Sequence, residues 1–486
     1  MLGAPERQMT VLDQMMYSYL LPQDHLLLRI DQMVDFGPIR KKLERFYHPV
    51  LGRPSYPPEM LVRVLFLAYL YDLSDVAVCE QLRYNALFRW FCHIGVEDPI
   101  PDDTTLVKFR ARLKEEGFSD VLAEIVEQAR EKGVLKERIK LVDSTKVVAD
   151  VAAQNTYGLL RQGRRLIMRA LKRHDPARAE QLSSFDPDRE KTQEREGQSV
   201  AYQERLQQEM EVAKELLSRL GEEVPEPVKG VVEQYRAVTE GRAEIGSFHD
   251  TDARWGHTAK DKPFFGYKVH ASCDESGVVT SIEVTPGNEP DGGKLPGLVE
   301  QDEKKEVSAQ GLAADKAYDC AANHKLLRDK QMRDYIPRRW EGKKALSRFR
   351  YDRDQQVLSC PGGKESIGCT PHQNGGMMFY FSQSHCSVCP LRGECLAPGQ
   401  ERKVVYVGPT DMMRFDGRVK LSLGRKARSI IERVFGEAKK WHGLGRARYR
   451  ELWRVYVQAA ITFAIMNVKK IVTLAKTRGK VCPRAA

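Results

Sequence analysis

The spacing of apolar and polar residues predicts helices over about the first 130 residues of the chain. The segment Glu59–Tyr71 is apolar on nearly every face, which predicts a buried helix, and Pro58 suits its first turn. Ser74 suits the N-cap of a second helix, Asp75–Tyr84. We therefore expect an all-α N-terminal domain that spans residues 1–130.

Three basic residues, Lys108, Arg110 and Arg112, follow the turn-like segment of residues 99–105 and lie on a third predicted helix. Exposed basic residues on short helices joined by tight turns are compatible with a DNA reader of the helix-turn-helix type. Clusters of three helices are also common as purely structural units. The pattern alone therefore leaves both interpretations open.

Beyond residue 130 the spacing of apolar residues changes from the helical period to the alternation that is typical of strands. The segment Arg138–Val148 alternates and is rich in β-branched residues, with Asp143 in its middle, where an acid is disfavoured. Either this strand lies at a sheet edge and Asp143 faces water, or its carboxylate is kept for a function. Residues 264–285 alternate on both sides of a loop that contains Gly277, which predicts a β-hairpin.

Two further acids follow in this part of the chain. A short buried strand is predicted to end on Asp315. Residues 428–442 form an amphipathic helix that carries Glu432 on one face with Arg428 and Lys439. Ordinary solvated ion pairs at helical spacing are the competing interpretation of that face.

The order of these elements is that of a ribonuclease-H-like α/β core. We predict such a core, a mixed sheet with flanking helices, as a catalytic domain over residues 131–480. In such a core Asp143, Asp315 and Glu432 would converge. Three converging carboxylates repel one another unless cations are bound, and oxygen-liganded Mg²⁺ suits them. Two such ions activate an attacking oxygen and stabilise a leaving one in phosphoryl displacement.

Two insertions are predicted to interrupt the core. Residues 155–245 are rich in Arg, Glu and Gln at helical spacing and form a charged helical insertion. Its basic helix, Leu159–His174, either touches DNA or presents a solvated face. Residues 340–424 form a Gly- and Cys-rich insertion, and Trp340 at its start is a candidate for stacking on a displaced DNA base or for ordinary packing.

The cysteines of the second insertion suggest a structural zinc site. Cys386 and Cys389 have the two-residue gap that lets two thiolates grip one ion, and Cys360 and Cys395 would complete four sulfur ligands. Two further residues could replace one of these ligands: Cys369 and His385. Free thiols in a loop are the alternative. A zinc ion would supply folding energy to a segment with few large apolar residues.

Composition and charge narrow the class of protein. Lys and Arg number 78 against 67 Asp and Glu, and the resulting charge of +11 favours a polyanionic partner. The most apolar stretch, Ala459–Met466, is short for a membrane span, and the N-terminus lacks the pattern of a secretion signal. We expect a basic, cytoplasmic protein that does not associate with a membrane.

On these residues the chain resembles bacterial insertion-sequence transposases of the DDE class. The segments VDSTKV, DKPFFGYKVH, TPGNEPD and ADKAYD resemble the catalytic core of that family, and PDDTTLVKFRARL resembles its N-terminal domain. The family's Tyr-Arg-Glu-Lys signature falls on Arg428, Glu432 and Lys439, whereas its Tyr position is occupied by Arg425. This departure affects only an accessory contact.

The resemblance implies a function for each of these residues. Asp143, Asp315 and Glu432 would be the catalytic ligands of Mg²⁺ or Mn²⁺, with Arg428 and Lys439 in contact with DNA near the scissile phosphate. Such an enzyme binds double-stranded DNA at the ends of its element, releases a 3′-hydroxyl and joins it to target DNA. Because two ends must be held together, we expect at least a homodimer on DNA.

Two alternative functions share these sequence features. The first is a nuclease of the same fold that hydrolyses DNA without strand transfer. The second is a DNA-binding regulator derived from a transposase that has no catalytic activity. The presence of all three acids argues against the second alternative, but it does not prove activity.

Overall fold

The computed structural model describes most of the chain. The described residues are 1–3, 9–22, 24–189, 202–221, 223–257, 262–337, 346, 348–352, 354–373, 375–408, 411–412, 415 and 421–477. In the last of these ranges, side chains are described from residue 428 to residue 475. Trp340 and the side chain of Arg425 therefore lie outside the described residues.

The N-terminal part is helical, as its pattern predicts. Its helices are α1 (Val11–Leu20), α2 (Leu26–Met33), α3 (Gly37–Leu43), α4 (Pro58–Leu70), α5 (Asp75–Tyr84), α6 (Ala86–Phe91) and α7 (Asp103–Glu131). Helix α4 is buried from Pro58 to Tyr69, because apolar side chains cover nearly its whole circumference. Ser74 caps α5 by accepting a hydrogen bond from the backbone of Ala77 at 3.1 Å.

Helix α7 connects this part to the rest of the fold. Asp102 caps its N-terminus, and the helix bends at Lys114, whose φ of 47° and ψ of −148° are not helical. Buried side chains of α7, such as Leu122 and Ile125, belong to the same hydrophobic core as Leu141 of the sheet. The core therefore continues across the boundary that the sequence predicts near residue 130.

A mixed sheet forms the centre of the predicted catalytic domain. Its strands are β1 (Ile139–Val148), β2 (Arg254–His257), β3 (Pro263–Cys273), β4 (Val279–Pro286), β5 (Gly311–Ala314) and β6 (Arg333–Asp334). The order is β2-β3-β1-β5-β6, and β4 pairs with β3 as the predicted hairpin. Strand β1 is antiparallel to β3 and parallel to β5. Asp143 thus lies on a central strand, which excludes the sheet-edge explanation for this acid.

Helices cover both faces of the sheet. Helices α12 (Leu295–Lys304) and α13 (Ala321–Asp329) lie on one face, where Leu298 and Leu327 share a core with Val142. The other face is covered by α7 and by two helices near the C-terminal end. These are the Glu432 helix (Leu421–Trp441) and the C-terminal helix (Leu452–Thr477). The expected mixed sheet with flanking helices is therefore present.

The C-terminal helix corrects one expectation from the sequence. Its segment Leu452–Ala475 is long and apolar enough to cross a membrane by length and composition, although no such segment was expected. Its most apolar window is 78% buried inside the fold, against α7, α4 and β4. Burial on nearly every face accounts for this hydrophobicity.

Both insertions contain structure of their own. The helical insertion consists of α8 (Thr156–His174), α9 (Pro176–Gln181), α10 (Tyr202–Leu220) and α11 (Glu226–Thr239) around a separate apolar core. Arg164 of its basic helix is 1% exposed and pairs with Glu209 at 2.7 Å, so this basic residue is structural. The Cys-rich insertion contains short strands and two helical turns. These are β7 (Arg350–Asp352), β8 (Val357–Ser359), β9 (Gly368–Pro371), β10 (Met377–Tyr380), β11 (Val404–Val407), Gln383–Ser387 and Arg392–Cys395.

Candidate metal centre

The fold brings Asp143, Asp315 and Glu432 to one place, around the guanidinium of Arg428. Nη2 of this arginine is 4.0 Å from Asp143 Oδ2 and 3.6 Å from Glu432 Oε1. Its Nη1 is 3.7 Å from Asp315 Oδ1. One cationic side chain therefore lies among three carboxylates that come from three separate elements.

Strand pairing and helix docking explain this convergence. Val142 pairs with Ala314 between parallel strands, so Asp143, in the middle of β1, lies next to Asp315, the residue that follows β5. The Glu432 helix docks through the buried side chains of Ile431 and Phe435, which leaves Glu432 on its accessible side. Strand register and helix docking together therefore bring the three acids to one place.

The three carboxylates differ in exposure. The side chain of Asp143 is 16% exposed, that of Asp315 is 42% exposed and that of Glu432 is 61% exposed. The backbone N–H of Ser144 donates to Asp143 Oδ1 at 2.8 Å, and the backbone N–H of Lys316 donates to Asp315. The site is thus buried and rigid at Asp143 and open at Glu432.

Burial raises the pKa of Asp143 to about 6, although the hydrogen bond from Ser144 and the charge of Arg428 lower it. The charges of Asp315 and Asp291 raise this pKa further. Ionised Asp143 is therefore only partly compensated by its surroundings. A carboxylate in this state is stabilised by any cation that binds next to it.

The side chains at this site are chemically suited to bind a divalent cation. Hard carboxylate oxygens are the ligands that Mg²⁺ and Mn²⁺ prefer, and the position of Arg428 shows that the site accommodates positive charge. In the present arrangement, no group of three or more His, Cys, Asp or Glu side chains among the described residues is arranged to hold a metal ion. Cation binding therefore requires Arg428 to withdraw and the more exposed carboxylates of Asp315 and Glu432 to close in on Asp143.

Two other acids follow the same strands in the chain, Asp150 after β1 and Asp319 after β5, and both have other partners. Asp150 pairs with Arg446 at 3.2 Å. Asp319 is 2% exposed in its side chain and lies 2.7 Å from His324 Nε2. Neither acid interacts with Arg428 in the way that the three converging acids do.

Two lysines lie near one another beside this site. Lys439 follows Glu432 by two helical turns, and burial together with the charge of Lys146 lowers the pKa of Lys439. Lys146 lies on β1, three residues after Asp143, with Nζ 5.9 Å from the ring of Phe264. Sequence reasoning did not select Lys146, although its position on the strand that carries Asp143 is a usable signal. Two lysines that repel each other favour an anion between them.

Lys108 and Arg112 are exposed on α7, as expected, and line a cleft of about 710 Å³ together with Arg53. Arg110 was expected to be exposed as well, and this prediction is wrong. Arg110 is 5% exposed, and its Nη1 lies 3.0 Å from Asp75 Oδ1. The helical period explains the error, because a residue four positions after the buried Leu106 faces the core.

The four cysteines of the predicted zinc site line one small cavity of about 40 Å³: Cys360, Cys386, Cys389 and Cys395. This volume suits a single ion or water molecule. His385 lines the same cavity, whereas Cys369 lies on β9. Burial raises the pKa of Cys395, Lys403 lowers it, and the three neighbouring thiols raise it. The three thiols therefore lie close enough to affect the pKa of Cys395, although no three of these cysteines, all of them described residues, are arranged to hold a metal ion in this structure.

Two protein-family models match the chain. The model of a transposase domain matches residues 15–112, which cover α2 to α6 and parts of α1 and α7. The model of the transposase DDE domain matches residues 236–468. This second match includes Asp315, Arg428, Glu432 and Lys439, but it begins after the strand that carries Asp143.

Proposed function

Because the chain belongs to the insertion-sequence transposases of the DDE class, we propose that it cuts DNA at the ends of its own mobile element and joins the freed 3′-hydroxyl to target DNA. The observation that carries this proposal is the convergence of Asp143, Asp315 and Glu432 on a single cationic group. A centre of three carboxylates suits the metal-assisted displacement of a phosphodiester oxygen.

Asp143, Asp315 and Glu432 would hold the divalent cation, Mg²⁺ or Mn²⁺. When bound, this cation supplies the activation of the attacking oxygen and the stabilisation of the leaving oxygen. The buried Asp143 provides a fixed ligand, and the exposed Glu432 can adjust as DNA enters. Arg428 would move from the carboxylates to a DNA phosphate, for which its planar guanidinium is well suited.

Double-stranded DNA would contact two regions of the protein. Lys439, two helical turns after Glu432, and Lys146, whose charge lowers the pKa of Lys439, would bind a phosphate near the cut, because an anion relieves the repulsion between them. Lys108 and Arg112 would contact the element end from the cleft at α7. Most of the affinity of such contacts comes from phosphates. Two protomers on DNA, in the bacterial cytoplasm, would hold the two ends together.

Zinc bound by Cys360, Cys386, Cys389 and Cys395 would stabilise the Cys-rich insertion. The support for this ion is that the four thiols share one cavity of the right size. The small core of this insertion, which includes Phe349 and Phe379, gives it limited apolar burial. A structural ion would add directly to its folding free energy.

Cleavage of linear DNA tests the proposed function. The substrate carries the sequences that flank the gene, and cleavage is measured with and without Mg²⁺. We expect the wild-type protein to cut, and Asp143→Ala, Asp315→Ala and Glu432→Ala to bind the DNA without cutting. Asp150→Ala is the matched control and should cut normally, because Asp150 pairs with Arg446 outside the site.

The products distinguish the transposase from its alternatives. Joined strand-transfer products support the transposase, whereas hydrolysis without joining supports a nuclease. Binding of the ends by a wild-type protein that never cuts supports a regulator. Normal cutting by any folded variant of the three acids would contradict the proposed metal centre.

A further inference from the structure

Ser144 connects Asp143 to a fourth acid that the proposed metal centre does not use. Its backbone N–H donates to Asp143 Oδ1 at 2.8 Å, and its hydroxyl donates to Asp291 Oδ2 at 3.0 Å. Ser144, a residue of a central strand, donates both of these hydrogen bonds. Any displacement of Ser144 therefore moves the hydrogen bond that orients the Asp143 carboxylate.

Asp291 is held in place from its other side by Lys268. The ammonium of Lys268 donates to Asp291 Oδ1 at 2.8 Å and to the backbone carbonyl of Glu289 at 2.8 Å. The side chains of Lys268 and Asp291 are 15% and 16% exposed. A mostly buried, oppositely charged pair with further hydrogen bonds has a well-defined geometry. Asp291 therefore offers Ser144 a fixed acceptor.

The turn that begins at Asp291 is also tied to the strand end that carries Asp315. The amide of Asn323, a residue 1% exposed, donates to the carbonyl of Gly292 at 2.8 Å and to that of Tyr318 at 2.9 Å. Tyr318 closes the short turn that follows Asp315. One turn of the chain thus contacts both the segment that follows Asp315 and, through Ser144, the middle of β1 where Asp143 lies.

We propose that Asp291 is a positioning residue for the metal centre: through Ser144 it fixes the carboxylate of Asp143 in the orientation that binds a divalent cation. This inference rests on the proposed function, because it assumes that Asp143 is a metal ligand. Groups that hydrogen-bond to the surroundings of a metal ligand set its orientation, and their loss commonly weakens metal affinity by about 10- to 100-fold. Asp291 would act in this way on Asp143 through Ser144, and Lys268 would hold Asp291 in place.

Calorimetric titration with Mn²⁺ of the full-length protein bound to an oligonucleotide of the element end, with the heat for the oligonucleotide alone subtracted, tests this inference. We expect Asp291→Ala and Ser144→Ala to weaken Mn²⁺ binding by about 10-fold or more. Asp291→Asn keeps an acceptor for Ser144 and should recover part of this loss. Glu283→Gln is the matched control, since Glu283 pairs with Lys294 at 3.3 Å in the same region but has no hydrogen bond to Ser144. This control should bind Mn²⁺ as the wild type does.

Two parallel measurements separate positioning from a general structural effect. The thermal midpoint and the affinity for end DNA should be unchanged in Ser144→Ala, which removes a single oxygen atom. Wild-type Mn²⁺ affinity in both Ser144→Ala and Asp291→Ala would overturn the inference. So would a loss of Mn²⁺ binding that accompanies an equal loss of thermal stability and that Asp291→Asn does not relieve.

Asp143→Ala serves as the reference for the proposed function itself. If Asp143→Ala loses Mn²⁺ binding while Asp291→Ala retains it, the metal centre stands and only the positioning role is wrong. If Asp143→Ala binds Mn²⁺ as the wild type does, or the wild type binds none, the metal centre is wrong. The two failures are therefore distinguishable.

Discussion

Replacing Asp143 by Asn should stabilise the metal-free protein while abolishing cleavage. Burial raises the pKa of Asp143 to about 6, so the folded protein resists the ionisation of this carboxyl group. Asn has nearly the same shape and can still accept the hydrogen bond from Ser144, but it carries no charge. The substitution therefore removes an electrostatic cost that the wild-type fold bears at neutral pH.

The size of this effect follows from the pKa. The interval between 3.8 and about 6, at 1.36 kcal/mol per pH unit, corresponds to about 3 kcal/mol. The sign follows from proton linkage: well below pH 3.8 the carboxyl group is protonated in both the folded and the unfolded chain, and there is no cost. The cost grows as pH rises from about 4 to about 6, where only the unfolded chain ionises freely, and it is constant above pH 6.

Denaturant unfolding of the wild type and Asp143→Asn, without divalent cations, measures this difference at pH 4 and pH 8. We expect similar stabilities at pH 4 and a gain of about 3 kcal/mol for the variant at pH 8. Asp315→Asn is the matched control, because its carboxylate is 42% exposed and its replacement should change stability by less than about 0.5 kcal/mol. A destabilised Asp143→Asn variant, or a gain that is equal at both pH values, would refute the reasoning.

Three other substitutions should have separate effects. Lys439→Ala should weaken binding to end DNA and lower the salt dependence of log K by about one unit, measured by fluorescence anisotropy, because one phosphate contact is lost. Arg110→Ala should lower the free energy of unfolding by about 3 kcal/mol, since it leaves the Asp75 carboxylate, which is 19% exposed, without its partner, whereas replacing the exposed Lys108 by Ala should affect only DNA binding. Cys386→Ser should abolish zinc binding, measured by atomic absorption, while Cys369→Ser should retain it.

For each of these three predictions, one experimental result would contradict it. An unchanged salt slope in Lys439→Ala would place this lysine outside the DNA contact. Normal stability of Arg110→Ala would show that its buried ion pair does not stabilise the fold. A purified wild-type protein without zinc would leave the four cysteines as free thiols.

Helices and strands could be predicted from the sequence wherever apolar residues recurred with one spacing over many positions. The burial of α4, the cap at Ser74 and the hairpin around Gly277 follow from local rules, and the structure contains all three. The proximity of Asp143 and Asp315 was expected from the predicted order of the strands, and the register that places Val142 opposite Ala314 explains it. The first three features depend on short-range sequence patterns, whereas this one depends on the predicted fold.

Features that depend on contacts between distant residues could not be predicted. Ser144 and Asp291 are 147 positions apart, and no local pattern indicates that their side chains meet. The sequence places Arg428 and Glu432 on one face of a helix, but it does not show that the guanidinium lies among three carboxylates. The exposure of Arg110 was predicted wrongly because charge was weighed above the helical period that places it against the core.

Asp143, Asp315 and Glu432 are proposed to hold a divalent cation together when DNA is bound. Anomalous diffraction from crystals grown with Mn²⁺ and an oligonucleotide of the element end tests this claim most directly. We predict an anomalous peak within about 2–2.6 Å of a carboxylate oxygen from each of the three residues, with Arg428 turned away from them and toward the DNA. A peak elsewhere, or none while Arg428 still lies among the three carboxylates on bound DNA, would contradict the account.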